Sequence, residues 1–174
     1  RTIRDILTNA EKCFGNEDAI RYKIGKNEIA AKTYTQLKED SERIAALLKK
    51  LGDPKSHIAL IGATSYLWIA SYFGIVDGGN VAVPLDMSLP AEELCELIDR
   101  ADVTILILDE IRKDVIEAAK EKCPKLKYIL SMQKEANAGN ILSLTKSMME
   151  QTIDKDTGVE KTEITPDQLC TIMF

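Results

Sequence analysis

Hydrophobic and polar positions change their period several times along the chain, and each change marks an element. Ile3, Ile6, Leu7, Ala10 and Phe14 recur at helical spacing and predict an amphipathic helix over residues 2–14, stopped by Gly15-Asn16. Residues 19–22 and 28–32 flank Gly25-Lys26-Asn27, the composition of a hairpin with a glycine-containing turn. Thr33 and Gln36 stand at the spacing of a capping box, in which a hydroxyl and an amide each satisfy one free backbone N–H. The helix they open puts Leu37, Ser41, Ile44, Leu48 and Leu51 on one side, and Gly52 and Pro54 end it.

From residue 58 onward short apolar runs alternate with helical patterns. Residues 58–61 read as a strand, and 65–77 as a helix apolar almost all round, hence buried on most sides. Gly78-Gly79 closes that helix, and 81–83 form a short strand ended by Pro84. Pro90 suits the first helical position, with Glu92 and Glu93 favourably placed for the helix dipole and Leu94, Leu97, Ile98 and Ala101 facing inward. A β-branched and leucine run at 103–108, a helix over 111–122 and a strand over 127–130 continue the series. Strands alternating with amphipathic helices predict βαβ units: an α/β fold whose mostly parallel sheet is flanked by helices, with an N-terminal helix and hairpin in front.

After Ser131 the pattern weakens. Residues 133–140 are loop-like, and Asn140 is expected to cap a short helix with Ile141, Leu144, Thr145 and Met148 inward. A polar linker follows over 152–163, then a strand-like run over 169–174. The whole, 1–174, is thus read as one unit: a core over 1–131, a helix and linker over 132–168, and a terminal strand over 169–174.

Composition narrows the function classes. The 174 residues carry a net charge of -5, and the lysines are interleaved with acids, as over 117–125. A surface that tracks phosphates needs clustered positive charge, so nucleic acid is not an expected partner. The four cysteines, Cys13, Cys95, Cys123 and Cys170, include no CxxC and fall in or beside apolar stretches, as reduced thiols of a cytoplasmic protein do. Residues 1–14 do not form a signal peptide, and Arg1 in place of Met is expected of a piece of a longer protein. The uncharged run 58–76 is broken by Gly62-Ala63-Thr64-Ser65, which reads as strand, break and cap rather than as a membrane span.

The residues themselves offer little chemistry. His57 is the single histidine, and no nucleophile with an orienting partner stands near it in the pattern. The carboxylates lie mostly on helix faces opposite the apolar stripe, where solvated surface is the default. Gly74, Gly78 and Gly79 fall inside or at the end of a helix, so they do not form a dinucleotide fingerprint, and the phosphate loop GxxxxGK[ST] is absent. Read this way, the chain is an α/β domain without a complete active site.

Three segments, in order, resemble the adenylate-forming acyl ligases, and the bacterial long-chain fatty-acid–CoA ligases in particular. Lys32-Thr33-Tyr34-Thr35-Gln36-Leu37 is similar to the early Thr-Tyr-x-Glu-Leu motif, with Gln36 in place of Glu. The run GIVDGGNVAVPLD from Gly74 to Asp86 resembles the family's Gly-rich segment ending in VPLD, with Asp77 where a small or basic residue is usual. Ser88 to Leu94 resembles the LPxxEL helix start, and Ser65-Tyr66-Leu67-Trp68 the NSxEW start, of the fatty-acid branch. DQLCTIMF from Asp167 to Phe174 looks like the strand that runs into the family's phosphate loop. The resemblance implies a parent enzyme that uses ATP and Mg2+ to turn a fatty acid into an acyl-adenylate with release of pyrophosphate, and coenzyme A to take the acyl group as a thioester. In that family the phosphate loop, the acidic motifs and the mobile-domain lysine would all lie beyond Phe174. No catalytic, cofactor-binding or metal-binding residue is therefore carried over, no cofactor is expected on this stretch, and its role is that of scaffold. The faces meant for absent parts, near 169–174 and around 65–77, are expected to expose apolar surface and to invite self-association.

Overall fold

The computed structural model describes residues 2–24, 26, 28–153 and 162–174. Helix α1 (Ile3–Phe14) starts at a capping box between Thr2 and Asp5. Strands β1 (Asp18–Lys23) and β2 (Ile29–Thr33) pair antiparallel as the expected hairpin, although Gly25 and Asn27 of its turn lie outside the described residues. The Thr33–Gln36 box opens α2 (Tyr34–Leu51): Gln36 N–H donates to Thr33 Oγ1 at 3.2 Å, and Thr33 N–H to Gln36 Oε1 at 3.0 Å.

The core is a five-stranded sheet in the order β4-β3-β5-β6-β7, every pair parallel. Its strands are β3 (His57–Ile61), β4 (Val81–Leu85), β5 (Val103–Leu108), β6 (Tyr128–Ser131) and β7 (Ile141–Ser143). Helices α3 (Tyr66–Asp77), α4 (Ala91–Arg100), α5 (Lys113–Lys122) and α6 (Leu144–Met149) complete the unit. Successive side chains of a strand point to opposite faces, so both faces of a covered sheet must be apolar. Ile58, Leu60, Ile105, Ile107 and Leu130 meet α2, α3 and α6 on one side. Ala59, Ile61, Leu106, Leu108 and Ile129 meet α4 and α5 on the other.

The two helices of longest mutual contact approach very closely at Gly74. A Cβ there would lie 2.8 Å from Ile44 Cβ and from the Ser41 carbonyl oxygen of α2. Glycine at this place is a packing requirement, because any side chain would hold α2 and α3 apart.

Several expectations need correction. Ile6 and Phe14 are 61% and 48% exposed, because α1 rests at the rim and buries only Leu7. The strand at 81–83 does not stop at Pro84 but continues to Leu85. Ala82 directs its N–H and carbonyl to the outer edge, and Pro84, two residues on, faces the same way, so no bond to β3 is lost. Pro90 is the cap residue of α4 and not its first helical position. Residues 110–112 form a turn of 3-10 helix, and α5 proper begins at Lys113. The sheet also continues beyond Ser131. Ile141 belongs to β7 and not to a helix, and the cap of α6 is Ser143, whose Oγ accepts from Lys146 N–H at 3.2 Å, with Asn140 upstream of it. Thr145 accordingly faces solvent, while Leu144, Ser147 and Met148 are buried.

Candidate functional site

Ligands of open α/β sheets bind outside the carboxyl ends of the strands, where the strand order reverses. Here β3 is followed by β4 on one side and β5 on the other, so that point lies between β3 and β5. The loops there close on each other. Asp109 N–H donates to the Ile61 carbonyl at 2.9 Å, and a Cβ on Gly62 would come within 2.8 Å of Asp109 Cβ.

The polar groups along the same edge are turned onto neighbours. The Asp109 carboxylate accepts from Ile111 N–H at 3.1 Å, and Glu110 accepts from the Ser131 hydroxyl at 2.8 Å. Asp86 accepts from Ser88 N–H at 2.9 Å, a bond that holds its carboxyl below the usual range. Arg112 donates to the carbonyls of Leu89, at 2.8 Å, and Met87, and pairs with Asp114 at 2.9 Å. These bonds cap helices and tie loops together. None holds a nucleophile against a base.

The sequence singled out His57 as an isolated imidazole, and it sits at the opposite, amino end of the sheet. Its Nδ1–H donates to the Ala101 carbonyl at 2.6 Å. It lines an open groove of about 610 Å³ with Lys55, Val81, Glu163, Thr165, Gln168 and Leu169. Among the described residues no group of three or more His, Cys, Asp or Glu side chains could hold a metal ion. Cys95 and Cys123 are buried, with the Cys123 thiol directed at the Cys95 carbonyl at 3.6 Å. Burial pushes both thiols up, Cys123 to about 12, which leaves them unreactive near neutral pH. Cys13, which falls in or beside an apolar stretch of the sequence, is exposed.

One feature is unlike a closed scaffold: the segment 162–174, which runs along the outer edge of β4. Ala82 N–H donates to the Cys170 carbonyl and Ile172 N–H to the Ala82 carbonyl, both at 2.9 Å. The strand expected over 169–174 is thus a single parallel bridge between Ala82 and Thr171. The next donor on that edge would be the N–H of Pro84, which proline lacks. Counted on from that register, Phe174 stands level with Leu85, at the carboxyl edge of the sheet. Leu169, Met173 and Phe174 are 55%, 74% and 57% exposed. On the neighbouring face of α3, Leu67, Trp68, Tyr72 and Phe73 are only half covered, with the Trp68 and Tyr72 rings stacked at 6.0 Å.

Comparison with known proteins places this arrangement. The family described as AMP-binding enzyme matches residues 7–174. The chain belongs to the AMP-binding enzyme family. Among curated relatives, the D-alanine–D-alanyl carrier protein ligase of Streptococcus equi subsp. equi is 37% identical over 81 residues, 45% of this chain and 16% of that protein. Among solved structures, the coronafacic acid ligase of Pectobacterium brasiliense superposes with a TM-score of 0.83 at 20% identity, over 100% of this chain and 33% of that one. A Mycobacterium tuberculosis fatty acyl CoA synthetase gives 0.79 at 19% identity, over 99% of this chain and 32% of that one. This member of the AMP-binding family therefore spans 16% of the first of these proteins and about a third of the other two. Its parallel sheet with helices on both faces is the α/β fold of adenylate-forming ligases. Sequence reasoning found the family-like segments but missed what connects two of them: GIVDGGNVAVPLD contributes the edge strand on which DQLCTIMF lies. The proline in the first segment, which stops pairing with the second, was the signal available.

Proposed function

We propose that the chain is the N-terminal part of an ATP-dependent, AMP-forming fatty-acid–CoA ligase, and that residues 1–174 act as one scaffold subdomain within it. The observation that carries this reading is the course of residues 169–174. They run parallel to β4 and reach the carboxyl edge of the sheet, the end at which α/β proteins hold ligands. A carboxylate is a poor electrophile, and attack on the α-phosphate of ATP converts it to an acyl-adenylate with release of pyrophosphate. The coenzyme A thiolate then displaces AMP. Donors for the developing charge on phosphorus are useful only when mounted on a rigid element. This stretch provides that mount, and the donors would come from other parts of the enzyme. Fatty acid as the substrate is supported by the LPxxEL-like start at Leu89-Pro90.

A second reading keeps the adenylation and changes the acid and acceptor. It rests on the 37% identity to a D-alanine–carrier protein ligase, which favours loading of a carrier thiol. ATP–pyrophosphate exchange on the longer enzyme and on residues 1–174 separates these readings. Exchange with fatty acids by the longer enzyme, and none by 1–174, is the expected result. Exchange with D-alanine or an aryl acid alone moves the assignment to the second reading, and silence with every acid overturns both.

A further inference from the structure

The acid at Asp77 is out of place by local rules. It is the last residue of α3, where the negative end of the helix dipole disfavours a carboxylate. A residue that breaks a local rule is a candidate for a role elsewhere. Its partner comes from the other end of the fold. Arg4 of α1 donates from Nε to Asp77 Oδ1 at 2.6 Å, from Nη2 to the Asp77 carbonyl at 2.5 Å, and from Nη1 to the Thr162 carbonyl at 2.9 Å. The two side chains are only 18% and 13% exposed. One guanidinium thus joins the N-terminal helix, the end of α3 and Thr162 of the edge segment.

Further contacts hold that segment downstream. Gly79 has a φ of +76°, and a Cβ on it would meet Thr162 Cγ2 at 2.8 Å, so glycine is needed both for the turn and for the close passage. Gln168 Nε2 donates to the Gly79 carbonyl, and the Tyr72 and Thr171 hydroxyls bond each other, each at 3.0 Å. The segment is therefore registered from Thr162 to Ile172, and Pro84 ends its pairing just beyond.

We propose that Arg4 and Asp77 are positioning residues that set the register of residues 162–172 along β4, and with it the point at which the chain reaches the carboxyl edge. The inference rests on the ligase reading above and adds a specific consequence: the pair governs how well the segment following Phe174 meets ATP. A planar fork that bridges three acceptors is not replaced by the single ammonium of lysine. A simple tie between α1 and α3 would survive as a charge pair in that variant, whereas register at Thr162 would not.

The test uses the longer enzyme with Arg4→Lys and Asp77→Asn. Peptide-level hydrogen exchange over 162–172 is expected to quicken at least tenfold in both, with peptides of β3 and β5 unchanged. In ATP–pyrophosphate exchange, KM for ATP is expected to rise by roughly tenfold or more, since a misplacement of about 1 Å can cost about a hundredfold, while KM for the carboxylic acid stays within about twofold. Rapid exchange over 162–172 with an unchanged KM for ATP would overturn the functional half, and unchanged protection would overturn the register itself. An unmodified enzyme silent with every acid would sink the ligase reading instead, and the hydrogen-exchange result would still decide the register.

Discussion

Gly74→Ala sets two local effects against each other, and the structure says which wins. Alanine is the better helix former by about 1 kcal/mol, so an isolated α3 would be strengthened. In the fold, the new methyl lies 2.8 Å from Ile44 Cβ, Ile44 Cγ2 and the Ser41 carbonyl oxygen, where ordinary contact is about 3.5–4.0 Å. No flexible side-chain end is among them. Ile44 is fully buried and β-branched, hence stiff at χ1, and the Ser41 carbonyl is part of the α2 backbone. Relief requires α2 to move away from α3, loosening Ile44 and Leu48 against the sheet. Overpacking of this kind costs about 1–3 kcal/mol, and three immobile neighbours put it near the upper end. The net loss is then about 2 kcal/mol, a fall in midpoint of roughly 4–8 °C for a chain of this size. Urea unfolding followed by circular dichroism should show a lower midpoint at constant slope. An unchanged or higher midpoint would refute the close α2–α3 approach.

Four further outcomes follow from other parts of the fold. Ser71 is fully buried and its hydroxyl has no hydrogen-bond partner among the described residues, so Ser71→Ala should stabilise by about 1 kcal/mol in the same assay; a loss would show that the hydroxyl is satisfied. The Cys123 thiol is raised from its ordinary 9.0 to about 12 by burial, so between those values the unfolded chain releases a proton that the folded chain keeps. Stability should fall as pH rises through that window, by up to about 1.4 kcal/mol per pH unit for this thiol, and Cys123→Ala should remove that part of the slope. Native alkylation at pH 8 should modify Cys13 well before Cys95 or Cys123, as mass spectrometry of tryptic peptides would report. Finally, residues 1–174 should self-associate and bind a dye for apolar surface through Leu169, Met173 and Phe174, and Met173→Lys with Phe174→Ser should reduce both. A monodisperse monomer by light scattering, without dye binding, would contradict this.

What the sequence shows clearly here is whatever depends on neighbours three or four residues apart. The Thr33–Gln36 box, the Ser65 cap and the βαβ alternation are local signals, and the structure reproduces them. The misplaced elements are those where two periods fit the same short run. Ile141, Leu144 and Met148 suit a helix, yet Ile141 and Leu142 pair with Ile129 and Leu130 and make β7 the edge strand of the sheet. Likewise the run at 169–174 has strand composition but forms one bridge, since its partner strand carries Pro84 at the next outward position. Contacts such as Arg4 to Asp77, 73 residues apart, have no local signature at all. Asp77 registered in the sequence only as an unusual residue in a family-like segment.

The same distinction applies to the carboxyl edge of the sheet, where the described polar groups are engaged with one another. A crevice at the reversal of strand order needs the two flanking loops to diverge, and here Gly62 and Asp109 hold them in contact. The carboxylates that reach that edge are engaged in capping 109–112 and in the turn at Asp86, which stabilises the loops at the expense of free ligand groups. On the proposed ligase reading, a site at this end would be built from chain delivered to it. The delivery route on these residues is the edge of β4, and its geometry is set by a guanidinium at one end and a proline at the other. On the proposed reading, rigidity upstream and release downstream are what a loop closing on a nucleotide would require of its mount.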